Sequence, residues 1–263
     1  MEQLKNPPLI EALLEIKWDL KRKGPDTFDD PGFRLASGRL FDRISKKFGF
    51  FKELPIAIVP EEMTAYNVRH QFRAKEEGWP LVQHGPGVAT VNLIPPYSWK
   101  EFKDSVKYLV PHLIKSYGGT VPTQPDYQLN VNSVLLRYIN GIEWDWSTGN
   151  TLDYIEKYLH TDIKFPDKML KSNNSKNPSD VNMQIGFPVE DPKGQIILRF
   201  STGTIGQSKG LVFELLFLST GEDAPKLYNI DEFLKWLDDA HKLLEQVFFV
   251  LIEGKLQTQF TGG

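Results

Sequence analysis

The 263-residue chain contains no cysteine. Disulfides, thiolate metal sites and cysteine nucleophiles are therefore excluded. The same absence fits a reducing compartment, so a cytoplasmic protein is expected. A basic excess is also missing, since 31 Lys and Arg face 34 Asp and Glu for a net charge of −3. A general nucleic-acid binder draws much of its affinity from neutralising phosphates, so this balance argues against one. Long apolar runs are lacking as well. The most apolar stretch, "LLEQVFFVLIEGKL" (243–256), is interrupted by Glu and Lys and falls short of the ~18 residues that span a bilayer. The opening "MEQLKNPPLIEALLEIKWDLKRK" has no basic segment followed by an apolar core, so it does not read as a signal peptide and no membrane association is expected.

Catalytic and cofactor motifs are equally scarce. The five histidines (His70, His84, His112, His160 and His241) form no HxH, HxxxH or HExxH spacing, so no helical or strand pair is set to hold a metal. In "DDAH", Asp238 and His241 fall three apart on one helical face, but His241 sits on an apolar stripe and reads as a hydrogen-bonded core histidine. "GTIGQSKG" (203–210) lacks phosphate-loop spacing and lies between two strand patterns, whereas a phosphate loop opens a helix. It reads as a hairpin turn. There is no GxGxxG, and the GxSxG match "GQSKG" (206–210) lies within that turn. No cofactor and no catalytic residue is assigned, and the balance leans away from an enzyme.

What is present is one pattern met twice. "EALLEIKW" (11–18) and "SVLLRYIN" (133–140) both place apolar residues at alternate positions, which is the period of a strand. "SWKEFKDSVKYL" (98–109) and "NIDEFLKWLDDA" (229–240) each begin with a good N-cap, Ser98 or Asn229, and carry Glu three residues on. That is the capping-box arrangement. Helical stripes follow the first strand of each half: Phe33, Ala36, Leu40, Phe41, Ile44 and Phe48, then Leu152, Ile155 and Leu159. Strand patterns divided by turn signals complete each half. The expected fold is α+β, a duplicated β-α-β-β-β-α unit over residues 1–120 and 121–263 within one pseudo-symmetric structure. The sheet is expected to be antiparallel and curved, with helices on one face. The order is similar to the saddle of the TATA-binding-protein fold and to helix-grip topologies.

Within "SVLLRYINGIEW", Arg137 stands among apolar neighbours. Pseudo-symmetry places Glu15 at the matching position, so an ion pair across a central seam is expected. Asn140, Trp144 and Trp146 share the other face of that strand. Asn140 interrupts an apolar series and needs a partner, and neighbouring Trp residues make good anchors for one. Asn140, Trp144, Trp146 and Arg137 are the candidate binding residues. Arg69 and Arg73 read as a solvated strand face and "LKSNNSKNPSD" (170–180) as a mobile surface loop.

The opening "KNPPLIEALLEIKW", the central "LLRYINGIEW", with "LRYIN" intact at Leu136 to Asn140, and the closing "LDDAHKLLEQVFFVLIEGKL" resemble a sporadically distributed family of bacterial and archaeal proteins. The likeness spans nearly the whole chain. The family has no established activity and supplies no catalytic residues. Its patchy occurrence implies traffic on mobile elements, and with it defence, immunity or toxin–antitoxin systems. The resulting expectation is a non-enzymatic module that binds another protein, encoded nearby, or a second copy of itself. The alternatives are a small-molecule or nucleotide-binding protein that uses the concave sheet face, and a saddle-type nucleic-acid binder.

Overall fold

The computed structural model describes residues 4–121, 128–166, 168–169, 178 and 180–262. Strand β1 (Leu9–Trp18) buries Ala12, Leu14, Ile16 and Trp18 and leaves the alternate residues half-covered. The long strand β8 (Val131–Glu143) does the same with Val134, Leu136, Tyr138, Asn140 and Ile142. The period-two pattern thus marks one buried face in each strand. The two strands pair antiparallel, with Leu14 opposite Leu136 and Ala12 opposite Tyr138.

They form the middle of a nine-stranded antiparallel sheet. From β1 the sheet runs outward through β7 (Val88–Leu93), β6 (Leu81–Gly85), β5 (His70–Arg73) and β4 (Phe50–Glu53). From β8 it runs outward through β11 (Ser208–Thr220), β10 (Lys193–Ile205) and β9 (Asn182–Glu190). The chain is α+β, as the alternating patterns require. Strand β4 and the small hairpin of β2 (Lys21–Arg22) and β3 (Phe28–Asp29) were not expected from the sequence, because they are short and carry little alternation. "GTIGQSKG" is the predicted hairpin: Ile205 pairs with Ser208, and Gly206 adopts a φ of 61° that favours glycine.

Among the described residues, five α-helices accompany the sheet. α1 spans Phe33–Ile44, α2 Trp99–Tyr117, α3 Thr151–Leu159, α4 Ile230–Leu251 and α5 Lys255–Thr261. Both predicted caps form: the Ser98 hydroxyl accepts from the Glu101 backbone N–H and the Asn229 carboxamide from that of Glu232. The Glu232 carboxylate also accepts from the Asn229 amide at 2.9 Å. The apolar stripes of α2 and α4, including Phe102, Val106, Leu109, Phe233, Leu237 and Leu244, are wholly buried with the inner face of the sheet. α4 ends before Gly254, whose φ of 87° lets the chain turn sharply into α5.

Candidate functional site

Helix α4, strand β8 and the chain's opening segment meet at a cavity of about 260 Å³. The opening segment is fixed at both sides of the cavity: Asn6 N–H donates to the Phe260 carbonyl in α5, and Gly141 N–H in β8 donates to the Pro8 carbonyl. Pro8, Leu9, Leu215, Leu244, Phe248 and Phe249 give apolar walls. Tyr97, Tyr138, Asn140, His241 and Glu245 supply a polar side. These five come from three parts of the chain: the approach to α2, strand β8, and one face of α4, where His241 and Glu245 are four apart.

Three of the five form a hydrogen-bonded row. The Tyr97 and Tyr138 hydroxyls are 3.1 Å apart, and the Tyr138 hydroxyl is 2.9 Å from His241 Nδ1. Burial holds the His241 imidazole down to about 4, so the ring is neutral at pH 7. With its proton on Nε2, it accepts from Tyr138. Trp99 stacks on the same ring at a centroid distance of 3.8 Å and fixes its plane. Nε2 faces the Glu245 carboxylate at 4.0 Å. Burial raises the Glu245 carboxyl above its ordinary value and raises both phenols, so the tyrosines serve as neutral donors.

Asn140 is 3 % exposed. Its amide nitrogen donates to the Phe213 carbonyl at a long 3.4 Å. Its side-chain oxygen has no hydrogen-bond partner among the described residues, and the residue lines the cavity. The oxygen is thus free to accept from water or from an occupant of the cavity.

Of the residues singled out from sequence, only Asn140 belongs to this site. Arg137 points to the opposite face of the sheet. Its expected pairing with Glu15 is not what forms: the guanidinium Nη2 bonds Glu214 Oε1 at 2.7 Å, while Glu15 pairs with Lys17 at 2.7 Å. The strands do adjoin at the centre, but the register sets Arg137 opposite Leu13 and Glu15 opposite Leu135. On its other side Arg137 lies opposite Leu216, and that neighbouring strand, β11, carries the nearer carboxylate. Trp144 and Trp146 lie beyond the cavity. Trp144 packs against Tyr154 of α3, the rings tilted at a centroid distance of 4.3 Å, and donates to Thr151, while Trp146 donates to the Gly203 carbonyl beneath Lys209. Asp238 and His241 also part, since Asp238 takes Lys103 at 2.7 Å. Arg69 is buried rather than solvated and binds the Ala57 and Val59 carbonyls and the Thr64 hydroxyl. Most of 170–180 lies outside the described residues.

A second polar network threads the first half of the chain. Buried Asp30 accepts from Trp18, Tyr117 and the Gly32 and Gly87 backbone. Tyr117 reaches His84 at 3.1 Å, and the Ser37 hydroxyl touches both His84 and His70. His70 Nε2 faces Glu53 at 3.8 Å. The Ser37, His70 and Glu53 order resembles a nucleophile, base and acid. However, the hydroxyl is shared by two imidazoles and buried within α1. We read the network as structural.

Among the described residues there is no cluster of three or more His, Cys, Asp or Glu able to hold a metal, and no helix long and apolar enough to cross a membrane. No protein-family model matches the chain, and neither does any curated protein or solved structure compared with it.

Proposed function

We propose that the chain is a non-enzymatic binding protein that takes a small amphipathic molecule in the cavity between α4, β8 and the opening segment. The observation that carries this reading is the cavity itself, whose apolar walls are joined by a few placed polar groups, Asn140 and Glu245 among them, that accept no hydrogen bond from the described residues. Such pockets owe their affinity to apolar walls and their selectivity to a few placed polar groups. The site lies on the helix-covered side of the sheet and not on its open face. The strand order supports reading the chain as two copies of a β-α-β-β-β-α unit: β7, β6 and β5 lead away from β1 as β11, β10 and β9 lead away from β8. On that reading the cavity lies where the two units meet. Native mass spectrometry of gently purified protein tests the proposal. A stoichiometric small-molecule adduct that is lost in Asn140→Leu is expected. A bare chain that also gains no thermal stability from any member of an amphipathic compound panel would sink it.

A second reading keeps the open sheet face for a partner protein or a second copy, within a defence, immunity or toxin–antitoxin setting. It is favoured by Leu13, Leu135, Ile139 and Leu218, which remain half-covered on that face. Glu11, Glu15 and Glu214 alternate there with Lys17, Arg137 and Arg199, so the face is mixed in sign. This supports a protein partner over a nucleic acid. Chemical cross-linking in the native host followed by peptide mapping tests it, and linkages confined to other surfaces would overturn it.

A further inference from the structure

The chemistry of the cavity's polar side narrows the occupant, on the reading that the cavity binds a ligand. Its unsatisfied groups are two acceptors and one donor, the His241 Nε2–H, which lies 4.0 Å from the Glu245 carboxylate. Asn140 offers a carboxamide oxygen without a donor. Glu245 offers a carboxylate that receives no hydrogen bond among the described residues, its nearest polar neighbour being His241 Nε2 at 4.0 Å. The hydroxyls nearby are already committed: Tyr138 to His241 and Tyr97 to Tyr138. A ligand that brought a carboxylate or phosphate would face these two acceptors, with no Lys or Arg among the lining residues. One that brought an amino group would satisfy both. The rings of Tyr97, Tyr138, Phe248 and Phe249 line the same space, and aromatic faces attract an ammonium as well.

We infer that the cavity recognises a primary amine with a compact apolar body, the ammonium held by Glu245 and Asn140 and the body lying against Leu215, Leu244 and Phe248. A cavity of about 260 Å³ suits a small occupant, and a short arylalkylamine is a fitting probe of it. Glu245 is 28 % exposed, which places the head group towards the mouth rather than the floor of the cavity.

The test is isothermal titration calorimetry of the full chain with three isosteres: 2-phenylethylamine, 2-phenylethanol and phenylacetate. The amine is expected to bind about tenfold more tightly than the alcohol, as one charge-assisted hydrogen bond gives, and the carboxylate most weakly. Glu245→Gln is expected to erase the preference for the amine and leave the alcohol unchanged. Alcohol or carboxylate binding as tight as the amine, and still abolished by Asn140→Leu, would overturn the amine assignment while the cavity reading stands. If none of the three binds, or if binding is indifferent to Asn140→Leu, the cavity reading falls and this inference with it. Should Glu245→Gln fail to fold, the ranking of the three compounds on the unaltered chain still decides the matter.

Discussion

The Tyr97 hydroxyl stands 3.1 Å from the Tyr138 hydroxyl, although one residue precedes α2 and the other lies on the central strand of the sheet. His241 closes the row at 2.9 Å from Tyr138. Tyr138 is the middle member, so Tyr138→Phe strands both Tyr97 and the imidazole. We expect a loss of about 1–3 kcal/mol in urea unfolding, with a smaller loss for Tyr97→Phe, which removes an end. The double variant is expected to cost less than the two singles together, because they share one interaction. Strict additivity would show that the hydroxyls act independently.

The central position of β1 and β8 was legible because alternation survives in both strands over eight or more residues. The capped starts of α2 and α4 were legible for a similar reason: Ser98 with Glu101 and Asn229 with Glu232 are local signals that need no tertiary context. The cavity was not legible, since its members are contributed by residues 97, 138, 140, 241 and 245 and meet only once the sheet and α4 are packed. One hint was available. His241 and Glu245 interrupt an otherwise apolar helical stripe, and two titratable groups four apart on a buried face call for polar company. Arg137 was misjudged because a symmetric argument fixes which strands adjoin but not which register neighbour supplies the carboxylate. Asp30 was not legible, for nothing in "DTFDDPG" shows that its third aspartate turns inward.

Asp30 accepts from four donors, Trp18 Nε1 at 3.1 Å, Tyr117 at 3.0 Å and the backbone of Gly87 and Gly32 at 3.1 and 3.3 Å. It ties the loop after β3 to β1, α2 and the β6–β7 turn. Asp30→Ala strands all four donors in a buried site. A loss of about 3 kcal/mol or more is expected in the urea midpoint at pH 7. Asp30→Asn keeps one acceptor and should recover part of it. A loss under about 1 kcal/mol for the alanine variant would mean that water replaces the carboxylate.

Acid should destabilise the fold through its buried histidines. Burial holds His84 down to about 3 and His241 down to about 4, and it lowers His70 as well. In the unfolded chain each returns to about 6.5. The unfolded state therefore binds the extra protons, so the full stability is present above about pH 6.5 and declines as pH falls from there towards the folded values. At pH 5.5, His84 and His241 should each cost about 1 kcal/mol relative to pH 7.5. Asp30 and Glu245, raised by burial, act with the opposite sign as pH falls through their folded values. His84→Gln should lower the urea midpoint at pH 7.5 and flatten its fall. An unaltered chain equally stable at both pH values would contradict the neutral, buried state of these rings.

On the open face of the sheet, Glu214 receives Arg137 at 2.7 Å and lies 3.6 Å from Arg199. The Arg137 Nε and Glu214 Oε2 atoms are buried without a hydrogen bond. The pair is thus desolvated without being fully satisfied, the condition under which an ion pair adds little net stability and its rupture is costly. Glu214→Leu should destabilise the chain by about 1–3 kcal/mol, since it leaves two guanidinium groups over an apolar strand. Arg137→Met with Glu214→Leu should recover most of that loss, giving a coupling energy of about 1 kcal/mol or more in a double-mutant cycle read by urea unfolding. Recovery is the decisive outcome. It would show that the charges sit on this face at a cost to the isolated fold and are retained there for recognition, as the partner-binding reading requires. A coupling near zero would mark an ordinary solvent-screened contact and remove the electrostatic support for a partner on this side of the sheet.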